Sequence, residues 1–101
     1  MAIVLQVEFE MDGPFGDEMA EQFADLAESI NEEEGFIRKI WTEKEERKEA
    51  GGIYIFETTE DAKNYEEMHR ERLKDMGVPE LHAKIFDIND QLTEITKGLP
   101  Q

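Results

Sequence analysis

The chain has 101 residues, of which 26 are acidic and 11 basic, leaving a formal net charge of −15. A chain this acidic excludes nucleic acid and anionic membrane surfaces as partners, because both are bound by basic groups that displace counterions. The hydrophobic fraction of 39% is too high for a disordered acidic tail, and the absence of cysteine excludes disulfides, thiolate nucleophiles and Cys-based zinc sites.

Ile3, Leu5, Val7 and Phe9 alternate with Val4, Gln6, Glu8 and Glu10, the period-two pattern of a first strand. Asp12-Gly13-Pro14 ends it. From Asp17 the period becomes helical. Met19, Phe23, Leu26, Ala27 and Ile30 form one apolar stripe, with Asp17, Glu18 and Glu21 near the positive end of the helix and Gly35 as its stop. Phe36 to Thr42 reads as a second strand, with Phe36 and Ile40 on one face and Ile37 and Trp41 on the other. Glu43 to Ala50 reads as a charged loop. Gly51-Gly52 then leads into a third strand, where the unbroken run Ile53-Tyr54-Ile55-Phe56 implies burial on both faces. Thr58 or Thr59 caps a second helix, with Glu60 and Asp61 in its first turn. Its inward stripe is Ala62, Tyr65, His69, Leu73 and Met76, and Gly77 and Pro79 end it. Leu81, Ala83 and Ile85 alternate with His82, Lys84 and Phe86 in a fourth strand, and Leu92 and Ile95 mark one or two final helical turns.

Strand, helix, strand, strand, helix, strand is the split arrangement of ferredoxin-like folds. The expectation is one α+β domain over residues 1–101, with a four-stranded antiparallel sheet carrying both helices on one face. Trp41, the Ile53–Phe56 run and Phe86 make the second face too apolar to leave open. An identical chain laid sheet to sheet is the simplest cover, giving a two-fold homodimer. The N-terminus lacks a basic segment followed by an apolar run, and no stretch approaches the roughly twenty apolar residues of a membrane span, so a soluble cytoplasmic protein is expected.

Among residues that carry chemistry, His69 lies four after Tyr65 and four before Leu73, on the apolar side of its helix. An imidazole there is either a base facing a cavity, a metal or haem ligand, or a buried side chain held by a carbonyl or carboxylate. Trp41, the single tryptophan, is either the flat wall of an aromatic pocket or an anchor in the core or interface, and Lys39 shares its face. Tyr54 and Tyr65 each bring a hydroxyl that either meets a substrate oxygen or packs at a rim. Asn31 reads as a helix cap. Phe9, Phe23 and Phe36 read as core residues that could line a pocket. His82 lies on the dimer side or at an exposed edge. The runs Glu32-Glu33-Glu34 and Glu43-Lys44-Glu45-Glu46 lack the spacing and turn glycines of an oxygen-ligand site, so they read as solvated surface and no metal is expected. Gly13-Pro14-Phe15-Gly16 lacks the Lys-Ser/Thr of a phosphate loop.

Several stretches are also familiar as a set. They are Asp12-Gly13-Pro14-Phe15-Gly16-Asp17, Ala27-Glu28-Ser29-Ile30-Asn31, Gly35-Phe36, Trp41-Thr42-Glu43, Glu49-Ala50-Gly51-Gly52-Ile53-Tyr54, Arg72-Leu73-Lys74, Ala83-Lys84 and Phe86-Asp87. In these the chain resembles the YdhR-like mono-oxygenase family over nearly its whole length. The departure is Asp12, where that family's loop typically reads Asn-Gly-Pro-Phe-Gly, and both residues suit such a turn. The resemblance implies a dimeric α/β barrel. Relatives of that architecture include cofactor-independent oxygenases of polyketide quinols, haem-degrading enzymes and stress-responsive proteins. The first implies a small aromatic ligand, no cofactor, His69 as the base, and Trp41, Tyr54 and Tyr65 around the ring. The second makes His69 an axial haem ligand, and the third is a non-enzymatic dimer that binds a small ligand.

Overall fold

The computed structural model describes residues 2–78 and 80–98. Strand β1 (Ile3–Glu10) buries Ile3, Leu5, Val7 and Phe9 and exposes Gln6, Glu8 and Glu10, as its alternation requires. With β2 (Phe36–Lys44), β3 (Glu49–Phe56) and β4 (His82–Asp87) it forms one antiparallel sheet in the order β2-β3-β1-β4. The first segment after β1 holds α1 (Gly16–Gln22) and α2 (Ala24–Ile30), the second crossover is α3 (Thr59–Asp75), and α4 (Asp90–Ile95) follows β4. This is the ferredoxin-like α+β arrangement. No helix among the described residues is long and apolar enough to cross a membrane.

The registers sort the side chains by face. Leu5 stands opposite Tyr54 on one side and Ile85 on the other, and Tyr54 stands opposite Lys39. These share the helix-covered face with Val7, Phe9, Phe56 and Ala83, and the main core lies between that face and Met19, Ile30, Ala62, Tyr65 and Leu73 of the helices. The other face presents Ile40, Ile53 and Phe86, which are 55%, 37% and 49% exposed.

Five details differ from the sequence pattern. A bulge between Phe36 and Arg38 shifts the second strand by one residue, so Phe36, Lys39 and Trp41 point toward the helices and Ile40 toward the open face. Trp41 therefore adds nothing to the open face. The first helix is bent into two at Phe23, whose φ of −105° and ψ of 9° leave the helical range. The amides of Phe23 and Ala27 still reach the carbonyls of Met19 and Phe23, at 2.9 and 2.8 Å, so the stripe survives the bend. The segment Glu43–Ala50 is mostly a hairpin end, because β2 continues to Lys44, a 3-10 turn covers Glu45–Arg47 and a left-handed Lys48 starts β3 at Glu49. Within the third strand, Ile55 is buried but Ile53 is not, and Met76 ends the α3 stripe half-exposed. The Pro79 stop lies outside the described residues; α3 ends on a left-handed Gly77, with the Val78 amide donating to the Leu73 carbonyl at 2.8 Å.

Gly51 and Gly52 are interior to β3, where glycine normally weakens a strand. A Cβ on Gly51 would lie 2.0 Å from the Val7 carbonyl oxygen, and one on Gly52 would lie 2.7 Å from Cε of Lys39. The first contact is with backbone of the neighbouring strand and cannot be relieved by a rotamer change. Gly51→Ala should therefore destabilise the chain by about 1–3 kcal/mol, read as a lower urea midpoint; an unchanged midpoint would contradict this packing.

Candidate functional site

Helix α3 carries His69 and Arg72 of the site. Its first turn is fixed by the Thr58 hydroxyl, which accepts from the Asp61 amide at 3.0 Å, and Glu60 and Asp61 complement the helix dipole. Helical spacing then places Tyr65, His69 and Arg72 on the side facing the sheet, each a turn from the last. Tyr65 and His69 are buried and Arg72 half-buried.

Beneath them lies Tyr54 of β3, fully buried, whose hydroxyl accepts from the Tyr65 hydroxyl at 3.2 Å. The rings of Tyr54 and Tyr65 are 4.9 Å apart, and the His69 ring stacks on Tyr65 at 5.4 Å and 27°. Phe9 and Tyr54 meet the imidazole edge-on at 6.4 and 6.2 Å. Lys39 enters from β2, across the space left by Gly52, and brings Nζ to 3.3 Å from the Trp41 ring centroid and 4.5 Å from that of Tyr54. Both are cation–π distances. Trp41 in turn stacks on Phe23 at 6.3 Å and 28°.

These groups line a partly open chamber of about 30 Å³, walled by Phe9, Met19, Phe23, Lys39, Trp41, Tyr54, His69 and Arg72 among others. It holds water-sized groups and no ring. Met19, Phe23 and Trp41 also form one side of a groove of about 260 Å³ that runs past Ala20, Ala24, Ala27 and Glu43. The three side chains thus partition a small polar-ended chamber from a larger apolar one.

The electrostatics of the chamber run against the rest of the chain. No carboxylate lines it among the described residues, while Lys39, Arg72 and His69 all do. Burial, followed by the nearby Arg72 charge, lowers the Lys39 pKa from 10.5 to about 7. Burial, then Lys39 and Arg72, lowers that of His69 from 6.5 to about 3, so the imidazole is neutral at physiological pH. Tyr54 and Tyr65 are both raised, chiefly by burial, and remain phenols. Nδ1 of His69 and Nη1 of Arg72 are buried with no hydrogen-bond partner among the described residues.

Three of the four residues singled out in the sequence, Trp41, Tyr54 and His69, therefore meet at one chamber. Tyr65 stands behind Tyr54 and does not line it. Phe9 and Phe23 line it, whereas Phe36 packs edge-on against Phe56. Asn31 closes α2, its amide reaching the Glu28 carbonyl, and His82 is exposed opposite Glu8 on the open sheet face. Arg72 was not among the sequence candidates. Its signal was the step of three from His69, which keeps it on the inward stripe.

A family model described as "Putative mono-oxygenase ydhR" matches residues 4–99. No curated protein matches the chain significantly.

The lowered pKa values have a defined effect on stability. Between about 7 and 10.5 the unfolded chain holds a proton at Lys39 that the folded chain lacks, so stability rises with pH across that window. His69 acts in the same direction between about 3 and 6.5. Lys39→Met removes the upper contribution. Urea unfolding at about pH 7 and about pH 9.5 should show wild type gaining on the variant with rising pH. An equal difference at both pH values would contradict the burial of this amine beside Arg72, Tyr54 and His69.

Proposed function

Because the chain belongs to the ydhR mono-oxygenase family, we propose that its chamber is an oxygenase active site for a small aromatic, quinol-like substrate that itself supplies the electrons. The observation that carries this reading is the meeting, at one aromatic-walled chamber, of Lys39 and His69, both tuned to be neutral or nearly so at pH 7.

In this mechanism a substrate SH2 and dioxygen give SO and H2O, so no added reductant or cofactor is needed. A phenolic or enolic proton leaves first. Two neutral bases on the wall are available to take it, His69 and Lys39. Lys39 is the better matched to neutral pH, because a useful base has a pKa near the working pH. The resulting anion is electron-rich enough to pass electrons to dioxygen. Trp41 offers a flat face to the ring, and the Tyr65–Tyr54 hydrogen bond holds the Tyr54 ring in place. The apolar wall of Phe9, Met19 and Phe23 keeps water from the reacting carbanion.

The larger groove on the other side of Met19, Phe23 and Trp41 is the part of this region with room for an aromatic ring. Phe23 sits at the bend between α1 and α2, where the backbone is least regular. The haem alternative is less favoured, because the His69 ring is already packed against Tyr65, Phe9 and Tyr54.

A second copy of the chain covers the open sheet face in this reading, burying Ile40, Ile53 and Phe86 against their equivalents. The apolar exposure of those three side chains supports it.

Two outcomes follow. An oxygen electrode with a panel of hydroquinones and anthrones should register uptake with wild-type protein, reduced about a hundredfold in Lys39→Met. Absence of uptake across the panel would count against the enzyme and in favour of a binding protein. Light scattering should give twice the chain mass of 11.8 kDa for wild type and a single chain for Ile53→Glu; a single-chain mass for wild type would remove the dimer.

A further inference from the structure

We propose that Lys39 is a carbamylation site: its amine takes up carbon dioxide, and the carbamate lies in the chamber with its oxygens toward Arg72 and Nδ1 of His69. Carbamylation needs neither an aromatic ligand nor the oxygenase reaction, so it goes beyond that reading and does not rest on it.

Three observations point to it. First, among the described residues Lys39 is the only one of the seven lysines that is not exposed. Its amine lies against the ring faces of Trp41 and Tyr54, and no carboxylate lines the chamber to hold it as a cation. The titratable groups around it are Arg72 and His69 from α3 and Tyr54 from β3, and none of them is negative at neutral pH. A carbamate forms only from an unprotonated amine, and a desolvated lysine beside another cation favours that form. Second, the same wall holds unused donors. Nη1 of Arg72 is buried without a partner, and Nη2 donates only to Sδ of Met68 at 2.8 Å, a weak acceptor. His69 is 5% exposed and its Nδ1 is also unpartnered; in the tautomer that protonates Nδ1 it donates. Buried donors without acceptors are costly. Third, the size is right. A chamber of about 30 Å³ has room for about two waters, and a carbamate adds one carbon and two oxygens to the amine.

The step balances without an oxidant or reductant. The amine lone pair forms a bond to the carbon of CO2, one C–O π pair moves onto oxygen, and one amine proton passes to water through the open side of the chamber. A neutral amine and CO2 thus give R–NH–COO− and H+. The carbamate is a carboxylate, the group this wall lacks, and its attraction to the Arg72 guanidinium opposes reversal. Where the free amine serves as the base for an oxygenase, the carbamate is a resting form that loses CO2 before turnover.

The test is covalent trapping. The full chain is equilibrated with isotope-labelled bicarbonate at neutral pH, treated with a trialkyloxonium salt that esterifies carbamates, digested and read by mass spectrometry. An ordinary lysine holds about a thousandfold less free amine at neutral pH than one titrating at about 7. The labelled ester should therefore be at least about tenfold more abundant at Lys39 than at any exposed lysine. No label at Lys39, or label spread evenly over the lysines, would overturn the proposal. This readout uses the wild-type chain and depends on no variant folding. Arg72→Gln, compared with wild type when each is held at its own Lys39 midpoint, should trap severalfold less; equal trapping would overturn the contact given to Arg72. Oxygen uptake plays no part in the readout, so failure of the oxygenase reading and failure of carbamylation are separate results.

Discussion

Two basic side chains, Lys39 and Arg72, face an aromatic chamber that no carboxylate lines among the described residues. Most of the local architecture follows from keeping them there. Gly52 has no side chain because the methylenes of Lys39 lie where one would be. Trp41 and Tyr54 present ring faces to the amine in place of a counter-charge. The Phe36–Arg38 bulge sets the phase of β2 so that Lys39 and Trp41 point inward at all. Without that shift the same residues would sit on the open sheet face and the chamber would lose its floor.

The sign of the chamber gives the net charge of −15 a more specific meaning. The acidic residues gather on the helix exteriors and the hairpin end, where water solvates them. Basic groups are scarce in this chain, and two of the 11 line this chamber, where burial of Lys39 costs desolvation. An acidic exterior would repel an approaching anion at long range. With a Debye length of about 8 Å at physiological salt, that repulsion is weak beyond the first shell of the surface.

The fold was legible wherever burial imposes a period. The alternation of Ile3, Leu5, Val7 and Phe9 and the stripe from Ala62 to Leu73 are direct consequences of one-sided packing, and both elements stand where the pattern put them. The bulge in β2 was not legible, because neither glycine nor proline marks it and Phe36, Ile37, Ile40 and Trp41 are apolar in either phase. The bend at Phe23 was hidden for a similar reason, since its stripe is intact. At the site, the aromatic and imidazole members were found because they sit at core positions with polar tips. Arg72 was overlooked because an arginine in a charged helix reads as surface. Lys39 is visible in the sequence on the face of Trp41, but its place in the chamber without a carboxylate beside it is a property of the folded chain.

The most direct test of this account is the ionisation of Lys39 itself, followed by NMR of the chain labelled at lysine Cε, with Lys39→Met used to assign the signal. The expected midpoint is about 7, moving upward when an aromatic phenolate is bound, because an anion beside the amine favours its protonated form. A midpoint in the ordinary lysine range, unmoved by the ligand, would mean that the amine faces solvent and would contradict the chamber on which the account rests.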